Sequence, residues 1–327
     1  MVILVGHHMT GGRRLLWRLV GVAFVVTALT FVMVRLAGDW DAARDAARSL
    51  SPASLLGSFA AALLGLGLTA LAWRRILAGL GHVIPVVPAA GVFFVSQLGK
   101  YVPGSIWPYL AQARLGRAQD VPGTRSAQAG LTFVLLHLLT GVVVGTPRLL
   151  LGDGLDSRFA WALLVIPAVL LLVHPRVTTR LVLLAGRLMR ADVTPAAPSW
   201  AALAGAAAWL LGAWLLYGLS LTALVAPIDG IEAGDLLWLT SAYALAWSVG
   251  FVGAAVLVVA APAGLGFREA ALFATLTGVV GPGAAGLVAL LSRVIMTVAD
   301  VSWALVAGRA AGIRRGETDD RSATPSS

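Results

Sequence analysis

Long apolar segments separated by short polar stretches dominate this chain of 327 residues. A helix needs about 20 apolar residues to cross the hydrocarbon core of a bilayer. Segments of this kind recur along the whole chain, so the pattern predicts an all-α integral membrane protein. The six predicted full spans are 15–37, 54–73, 126–146, 159–173, 199–221 and 284–308.

Two further regions are apolar but interrupted by proline and glycine. The sequence KYVPGS breaks 86–117, and APAGLGFRE breaks 236–281. Lipid does not tolerate irregular exposed backbone, because each unpaired amide costs several kcal/mol. Each break must therefore face protein or a water-filled cavity, and both regions are predicted to be re-entrant helical hairpins. For the second region, two full spans at 236–260 and 267–280 remain an alternative.

The order of these segments suggests an internal repeat. Residues 54–147 and 199–308 both run as span, broken hairpin and span, and the two units enter the membrane from opposite sides. Inverted repeats with discontinuous helices are a recurring transporter design. We therefore expect one polytopic transmembrane domain at 15–310, a cytoplasmic N-terminus at 1–14 and a disordered cytoplasmic tail at 311–327. Met9 is an alternative start, which leaves the status of residues 1–8 open.

Composition and charge support a membrane location and exclude several function classes. Apolar residues make up 59% of the chain and charged residues 12%. The net charge of +9 comes from arginines clustered between apolar segments, as the positive-inside rule requires, and does not indicate nucleic-acid binding. Their placement predicts a multi-pass membrane protein with both termini in the cytoplasm. The absence of cysteine excludes disulfides, Cys-ligated zinc and thiol catalysis.

The first break carries the single lysine among 24 basic residues, Lys100. Pro103 removes a backbone donor, Gly104 relaxes the turn, and Ser105 can cap a new helix. The positive end of that helix points at the break, within one turn of Lys100, and an ammonium beside a helix N-terminus makes an anion site. The alternative is a lysine that snorkels to the cytoplasmic interface and binds nothing.

The second break and the last span supply further charges at membrane depth. Such charges are costly and are functional candidates by default. Glu269 is placed to interact with a helix dipole, and Arg268 is expected to remain available for a partner such as phosphate, unless both belong to a structural ion network. Arg293, Thr297 and Asp300 are spaced four and three residues apart and predict one polar stripe facing the bundle interior.

Other polar residues have weaker functional readings. His137 lies in an apolar span and is expected to be a hydrogen-bonded structural residue. Asp39 and Asp41 follow the first span, where membrane glycosyltransferases that use polyprenyl-phosphate sugars often carry acidic residues; a solvated interfacial helix is the preferred reading. The sequence has no nucleophile elbow, phosphate loop or metal-binding histidine spacing, so we expect neither an enzyme nor a cofactor or metal.

Three motifs occur in order along the chain: SQLGKYVPGSIW at 96–107, PAGLGFREAAL at 262–272 and LLSRVI at 290–295. With these motifs the chain resembles a family of bacterial and archaeal membrane proteins that includes the transmembrane flippase half of lysylphosphatidylglycerol synthases. The resemblance covers most of the chain and implies a stand-alone member without the aminoacyl-transferase domain, so synthase activity does not carry over. By resemblance, the motif positions are Lys100, Pro103, Gly104, Pro262, Gly264, Gly266, Arg268, Glu269 and Arg293.

The resulting functional expectation is movement of an anionic-headgroup lipid, a phospholipid or a polyprenyl-phosphate-linked lipid, between membrane leaflets. The alternatives are a polyprenyl-phosphate-sugar-dependent glycosyltransferase and a non-catalytic membrane partner of a lipid or glycan synthase. Whether the partner is a synthase or a second copy of the chain stays open. The expected substrate-binding residues are Lys100, Pro103, Gly104, Ser105, Arg268, Glu269, Arg293 and Asp300.

Overall fold

The computed structural model describes residues 38–101, 107–151, 171, 174, 176–177, 179–180, 183–184, 196–230, 235–256 and 266–312. Within these ranges the protein is built from helices. They are α1 (Trp40–Ser49), α2 (Pro52–Gly79), α3 (Val86–Gln97), α4 (Trp107–Arg117), α5 (Gly123–Leu151), α6 (Trp200–Asp229), α7 (Asp235–Val256) and α8 (Phe267–Ala310), with a 3₁₀ turn at Leu98–Tyr101 after α3.

Five of these helices, α2, α5, α6, α7 and α8, are long and apolar enough to cross a membrane. The predicted all-α membrane fold is therefore confirmed. The predicted spans at 54–73, 126–146, 199–221 and 284–308 lie within α2, α5, α6 and α8. The predicted span 15–37 and nearly all of 159–173 lie outside the described residues, as do the two predicted termini.

Local sequence explains where several helices begin. The side chain of Ser51 accepts a hydrogen bond from the backbone N–H of Ser54, the Ser54 hydroxyl accepts one from the backbone N–H of Ser51, and Pro52 occupies the first turn of α2. The side chain of Ser199 caps α6 by accepting a hydrogen bond from the backbone N–H of Ala202. Such caps satisfy backbone donors that have no partner within the helix.

The first broken region forms a tight helical hairpin. α3 and α4 have 12 and 11 residues, about 18 and 16 Å at the helical rise, so neither is long enough to cross a bilayer. The two arms pack against each other at Gly99, where a Cβ atom would lie 2.8 Å from the backbone nitrogen of Pro108.

The second broken region has unequal arms. α7 has 22 residues, about 33 Å, which is the length of a full span. The first part of α8 runs from Phe267 to a kink at Gly281, which has a φ of 77° and precedes Pro282. This arm is about 21 Å long and is too short to cross alone. Below, α8a denotes residues 267–280 and α8b denotes residues 284–310.

The long helices pack in a defined pattern. α2 lies along α6, α5 along α7, and α3 along α8. The last contact is on α8b, since Phe94 stacks on Trp303 with ring centroids 4.7 Å apart. α5 and α7 approach so closely at Gly145 that a Cβ atom there would lie 2.8 Å from the backbone nitrogen of Leu245.

Candidate functional site

Glu269 is the centre of the first charged cluster. Its Oε2 accepts a hydrogen bond of 2.7 Å from the backbone N–H of Gly266, so the carboxylate caps α8a, as its predicted position at the helix dipole implies. Its Oε1 lies 3.4 Å from Arg293 Nη1 on α8b and 3.8 Å from Arg268 Nη1. One carboxylate therefore serves a helix N-terminus and two guanidinium groups.

Arg268 projects from α8a into the bundle interior. Its Nη2 donates hydrogen bonds of 2.9 Å to the hydroxyl of Tyr243 on α7 and to Ser292 on α8b. The guanidinium also lies over the Tyr243 ring, 4.9 Å from its centroid. Arg268 thus has protein partners, which corrects the expectation that it is left wholly available to a ligand. Its Nε is buried and has no hydrogen-bond partner among the described residues.

Lys100 and Asp300 form the second charged cluster. Lys100 lies on the 3₁₀ turn after α3, and its Nζ is 2.6 Å from Oδ2 of Asp300 on α8b. The hydroxyl of Tyr101 donates a 2.7 Å hydrogen bond to the same oxygen. The side chain of Asp300 is 4% exposed, whereas that of Lys100 is 29% exposed. The ammonium is therefore the partly accessible member of a pair whose carboxylate is buried.

Both clusters attach to one helix. Arg293 and Asp300 are seven residues apart on α8b, about 10 Å along the axis, and so lie on the same face. Both are at least about 13 Å from either end of α8b, which places them deep within the predicted span. Because Arg293 contacts Glu269 after the second break and Asp300 contacts Lys100 before the first, the described flanks of the two breaks lie beside the same helix face.

The predicted polar stripe on α8b is thus found as one helix face. Thr297 differs from the two charged residues of the stripe in the hydrogen bond that it makes. The Thr297 hydroxyl donates to the backbone carbonyl of Arg293 at 2.9 Å, within its own helix. Other predicted residues, Pro103, Gly104, Ser105, Pro262 and Gly264, lie outside the described residues.

Three residues of the clusters were not among the predicted site residues: Tyr101, Tyr243 and Ser292. Tyr101 had a usable signal, because it adjoins Lys100 in a motif. Ser292 had the same signal, because it adjoins Arg293 in the motif LLSRVI, whereas Tyr243 lies in an apolar helix with no such signal.

Two other predicted residues lie apart from the clusters. His137 packs among Phe133, Trp214 and Trp247, with ring centroids 4.3–5.4 Å away, and its Nε2 has no hydrogen-bond partner among the described residues. Ring packing holds the imidazole, which agrees with the expected structural role of His137.

The acidic segment at Asp39 and Asp41 forms the start of α1. The helix is amphipathic, buries Ala43 and Ala46, and carries an exposed Arg48–Asp45 ion pair at 3.2 Å. It packs on α8 beside Gly283, where a Cβ atom would lie 2.7 Å from the carbonyl oxygen of Asp39. This geometry matches the interfacial-helix reading.

Within the described part of the chain, no group of three or more His, Cys, Asp or Glu side chains could hold a metal ion.

The family model described as "Lysylphosphatidylglycerol synthase TM region" matches residues 18–303. No curated protein matches the chain.

Proposed function

The chain belongs to the lysylphosphatidylglycerol synthase transmembrane-region family, and from this membership and the buried charges we propose that it is a lipid flippase. In this proposal the protein moves a lipid with an anionic headgroup, a phospholipid or a polyprenyl-phosphate-linked lipid, between the leaflets of the bacterial inner membrane. It does so as a transporter and not as an enzyme.

The observation that carries the proposal is the presence of five charged residues in two clusters along α8b, beside the described flanks of the two breaks. Each charge at the bilayer centre costs about 2.5–3.5 kcal/mol on insertion scales, so a structural protein has little reason to keep them. A flippase needs charged residues at this depth, because a headgroup that crosses the hydrocarbon core must exchange its water contacts for protein contacts. The five residues are Lys100, Arg268, Glu269, Arg293 and Asp300.

The roles follow from exposure and charge. Lys100, the partly exposed cation, binds the phosphate first, on the cytoplasmic side of the two arginines. Arg268 and Arg293 receive it near the membrane centre. Glu269 and Asp300 hold the cations in place while no lipid is bound, and Pro103, Gly104 and Ser105 of the first break join Lys100 in binding the headgroup.

The packing pattern favours an inverted repeat as the frame for this movement. In such a repeat α2 corresponds to α6, α3 to α7, α4 to α8a and α5 to α8b. The contact of α3 with α8b then corresponds to the contact of α7 with α5, and α2 against α6 is the central pair. Two units that exchange equivalent contacts can rock against each other around a fixed central site. In the proposed orientation both termini are cytoplasmic.

Leaflet translocation in proteoliposomes tests the proposal. The purified protein is reconstituted with fluorescently labelled phosphatidylglycerol, phosphatidylethanolamine or a polyprenyl-phosphate sugar, and the labelled lipid reaching the outer leaflet is quenched by a membrane-impermeant reductant. We expect translocation of at least one anionic lipid by the wild type and its loss in Arg268→Gln. Arg48→Gln is the matched control, since it removes an exposed arginine of α1.

Equal translocation in empty vesicles and in vesicles with wild-type protein, for every anionic lipid, would refute the flippase. Translocation by Arg268→Gln at the wild-type rate would remove the buried arginine from the mechanism.

A further inference from the structure

Arg268 lies along one face of α7. At its backbone end, a Cβ atom at Gly250 would lie 2.8 Å from the Cβ atom of Arg268, so a side chain there would push α7 away from the start of α8a. At its other end, Nη2 donates a 2.9 Å hydrogen bond to the Tyr243 hydroxyl, and the guanidinium lies over the Tyr243 ring, 4.9 Å from the centroid. Gly250 and Tyr243 are seven residues apart, about two helical turns, and therefore share a face of α7.

Tyr243 is itself held in place by α6. Its side chain is buried, and its ring packs on that of Tyr217, with the two centroids 5.5 Å apart. About one turn earlier on α7, Thr240 packs so closely on Gly218 of α6 that a Cβ atom at Gly218 would lie 2.7 Å from the Thr240 Cα atom. The position of Tyr243 is thus set by the packing of α6 against α7.

Neutral groups orient the guanidinium of Arg268. Its Nη2 also donates a 2.9 Å hydrogen bond to Ser292 of α8b, whereas Glu269 Oε1 is 3.8 Å from Nη1, beyond hydrogen-bond distance. Two hydrogen bonds from one nitrogen and a ring contact fix the plane of the guanidinium, whose donors form a rigid fork. A hydroxyl orients the cation without neutralising its charge, and the charge is what a phosphate requires.

We propose that Tyr243 is a positioning residue, which holds Arg268 in the orientation that binds the lipid phosphate and ties that orientation to the position of α7. The inference rests on the proposed function and adds a means of controlling its site. Tyr243 acts through Arg268 and not by contact with the lipid. A binding group is precise when surrounding contacts lock its rotamer, and a small displacement of those contacts weakens binding. Movement of α7 relative to α8 therefore changes the affinity for the headgroup.

The first measurement follows Arg268 itself and needs no lipid. Purified protein in detergent is treated with phenylglyoxal, which modifies accessible arginines, and the rate is read at the Arg268 peptide by mass spectrometry. Tyr243→Phe keeps the ring and removes the hydroxyl. The Arg268 rate should rise about tenfold, the factor expected from losing a hydrogen bond to a charged group, while the rate at exposed Arg48 stays unchanged.

Tyr217→Phe is the matched control for this variant. It removes the hydroxyl of the neighbouring buried tyrosine and keeps the ring that packs on Tyr243. Among the described residues, Arg268 donates to Tyr243 and Ser292 rather than to Tyr217, so the Arg268 rate should stay at the wild-type value.

The second measurement is lipid affinity. Phosphatidylglycerol and a polyprenyl-phosphate sugar are each titrated onto the purified protein and detected by native mass spectrometry. Tyr243→Phe should raise the Kd of the lipid that the wild type binds by about tenfold, because the arginine no longer meets the phosphate in a fixed orientation. Tyr217→Phe should leave this Kd unchanged.

Gly250→Ala tests the dependence on α7 without altering Tyr243, and it replaces Tyr243→Phe if that variant does not fold. The added methyl group displaces α7 from Arg268, so the modification rate and the Kd should both rise. Gly278→Ala is the matched control, because a Cβ atom at Gly278 of α8a would meet nothing within 4 Å.

An Arg268 modification rate that stays at the wild-type value in Tyr243→Phe and Gly250→Ala would overturn the inference, whatever the lipids do. A raised rate with an unchanged Kd would also overturn it and leave the flippase intact. A raised rate and a raised Kd, without translocation by the wild type in vesicles, would support the positioning role and refute the flippase. Binding of neither lipid by the wild type would overturn both.

Discussion

The Lys100–Asp300 pair makes a quantitative prediction about stability. Removing one partner of a buried ion pair typically costs 3–5 kcal/mol, because the other charge is left uncompensated. Lys100 is partly exposed and Tyr101 remains bonded to Asp300, so Lys100→Gln should lower the free energy of unfolding by roughly 2–3 kcal/mol. In Lys100→Gln with Asp300→Asn no charge is stranded, and the double variant should be more stable than Lys100→Gln alone.

A double-mutant cycle in detergent, followed by chemical unfolding, isolates the coupling between the two residues, which we expect to be about 2 kcal/mol. The exposed Arg48–Asp45 pair is the matched control. Its members are separated by 3.2 Å with side chains 65% and 72% exposed, so its coupling should stay below about 0.5 kcal/mol. Equal couplings for the two pairs would refute the reasoning that burial gives the Lys100 pair its strength.

Lys100→Arg distinguishes charge from shape at the same position. The guanidinium keeps the positive charge but is planar and larger, with donors in a fixed fork. A compact site closed by Asp300 and Tyr101 should accept it poorly, so translocation should fall although the charge is retained. Wild-type translocation by both Lys100→Arg and Lys100→Gln would exclude Lys100 from lipid binding.

The remaining predictions concern packing and the acidic helix. Gly145→Ala should lower the free energy of unfolding by about 1–3 kcal/mol, because the added methyl group meets the α7 backbone; unfolding in detergent measures it. Asp39→Asn with Asp41→Asn should translocate lipid at the wild-type rate, and loss of activity in a folded double variant would instead favour the glycosyltransferase. Gly283→Ala should destabilise the packing of α1 on α8, because a Cβ atom there would lie 2.7 Å from the carbonyl oxygen of Asp39; unfolding in detergent measures it.

The fold was largely predictable because lipid restricts the choices. Backbone groups in hydrocarbon must be paired, so long apolar runs become helices, and Pro-Gly breaks at membrane depth must be enclosed by protein. The helices extend beyond the ends that were predicted from the apolar runs. α2 continues to Gly79 past Arg74 and Arg75, because backbone hydrogen bonding does not stop where the apolar run does.

The charged residues of the site were also predictable, since each is anomalous in an apolar chain. Their partners were not. Lys100 and Asp300 are 200 positions apart, and nothing local indicates that α3 packs on α8b. Tyr243 and Ser292 carry no charge, so their role depends entirely on the rotation of α7 and α8b about their axes.

The most direct test of the central claim is photo-crosslinking with a lipid that carries a diazirine in a phosphodiester headgroup. After irradiation in nanodiscs, peptide mapping should place adducts on the segments around Lys100, Arg268 and Arg293, and excess unlabelled phosphatidylglycerol or polyprenyl-phosphate sugar should compete them away. Arg268→Gln should reduce these adducts while leaving those on lipid-facing helix surfaces unchanged. Adducts confined to lipid-facing surfaces, with none on the three segments, would contradict a headgroup site inside the bundle.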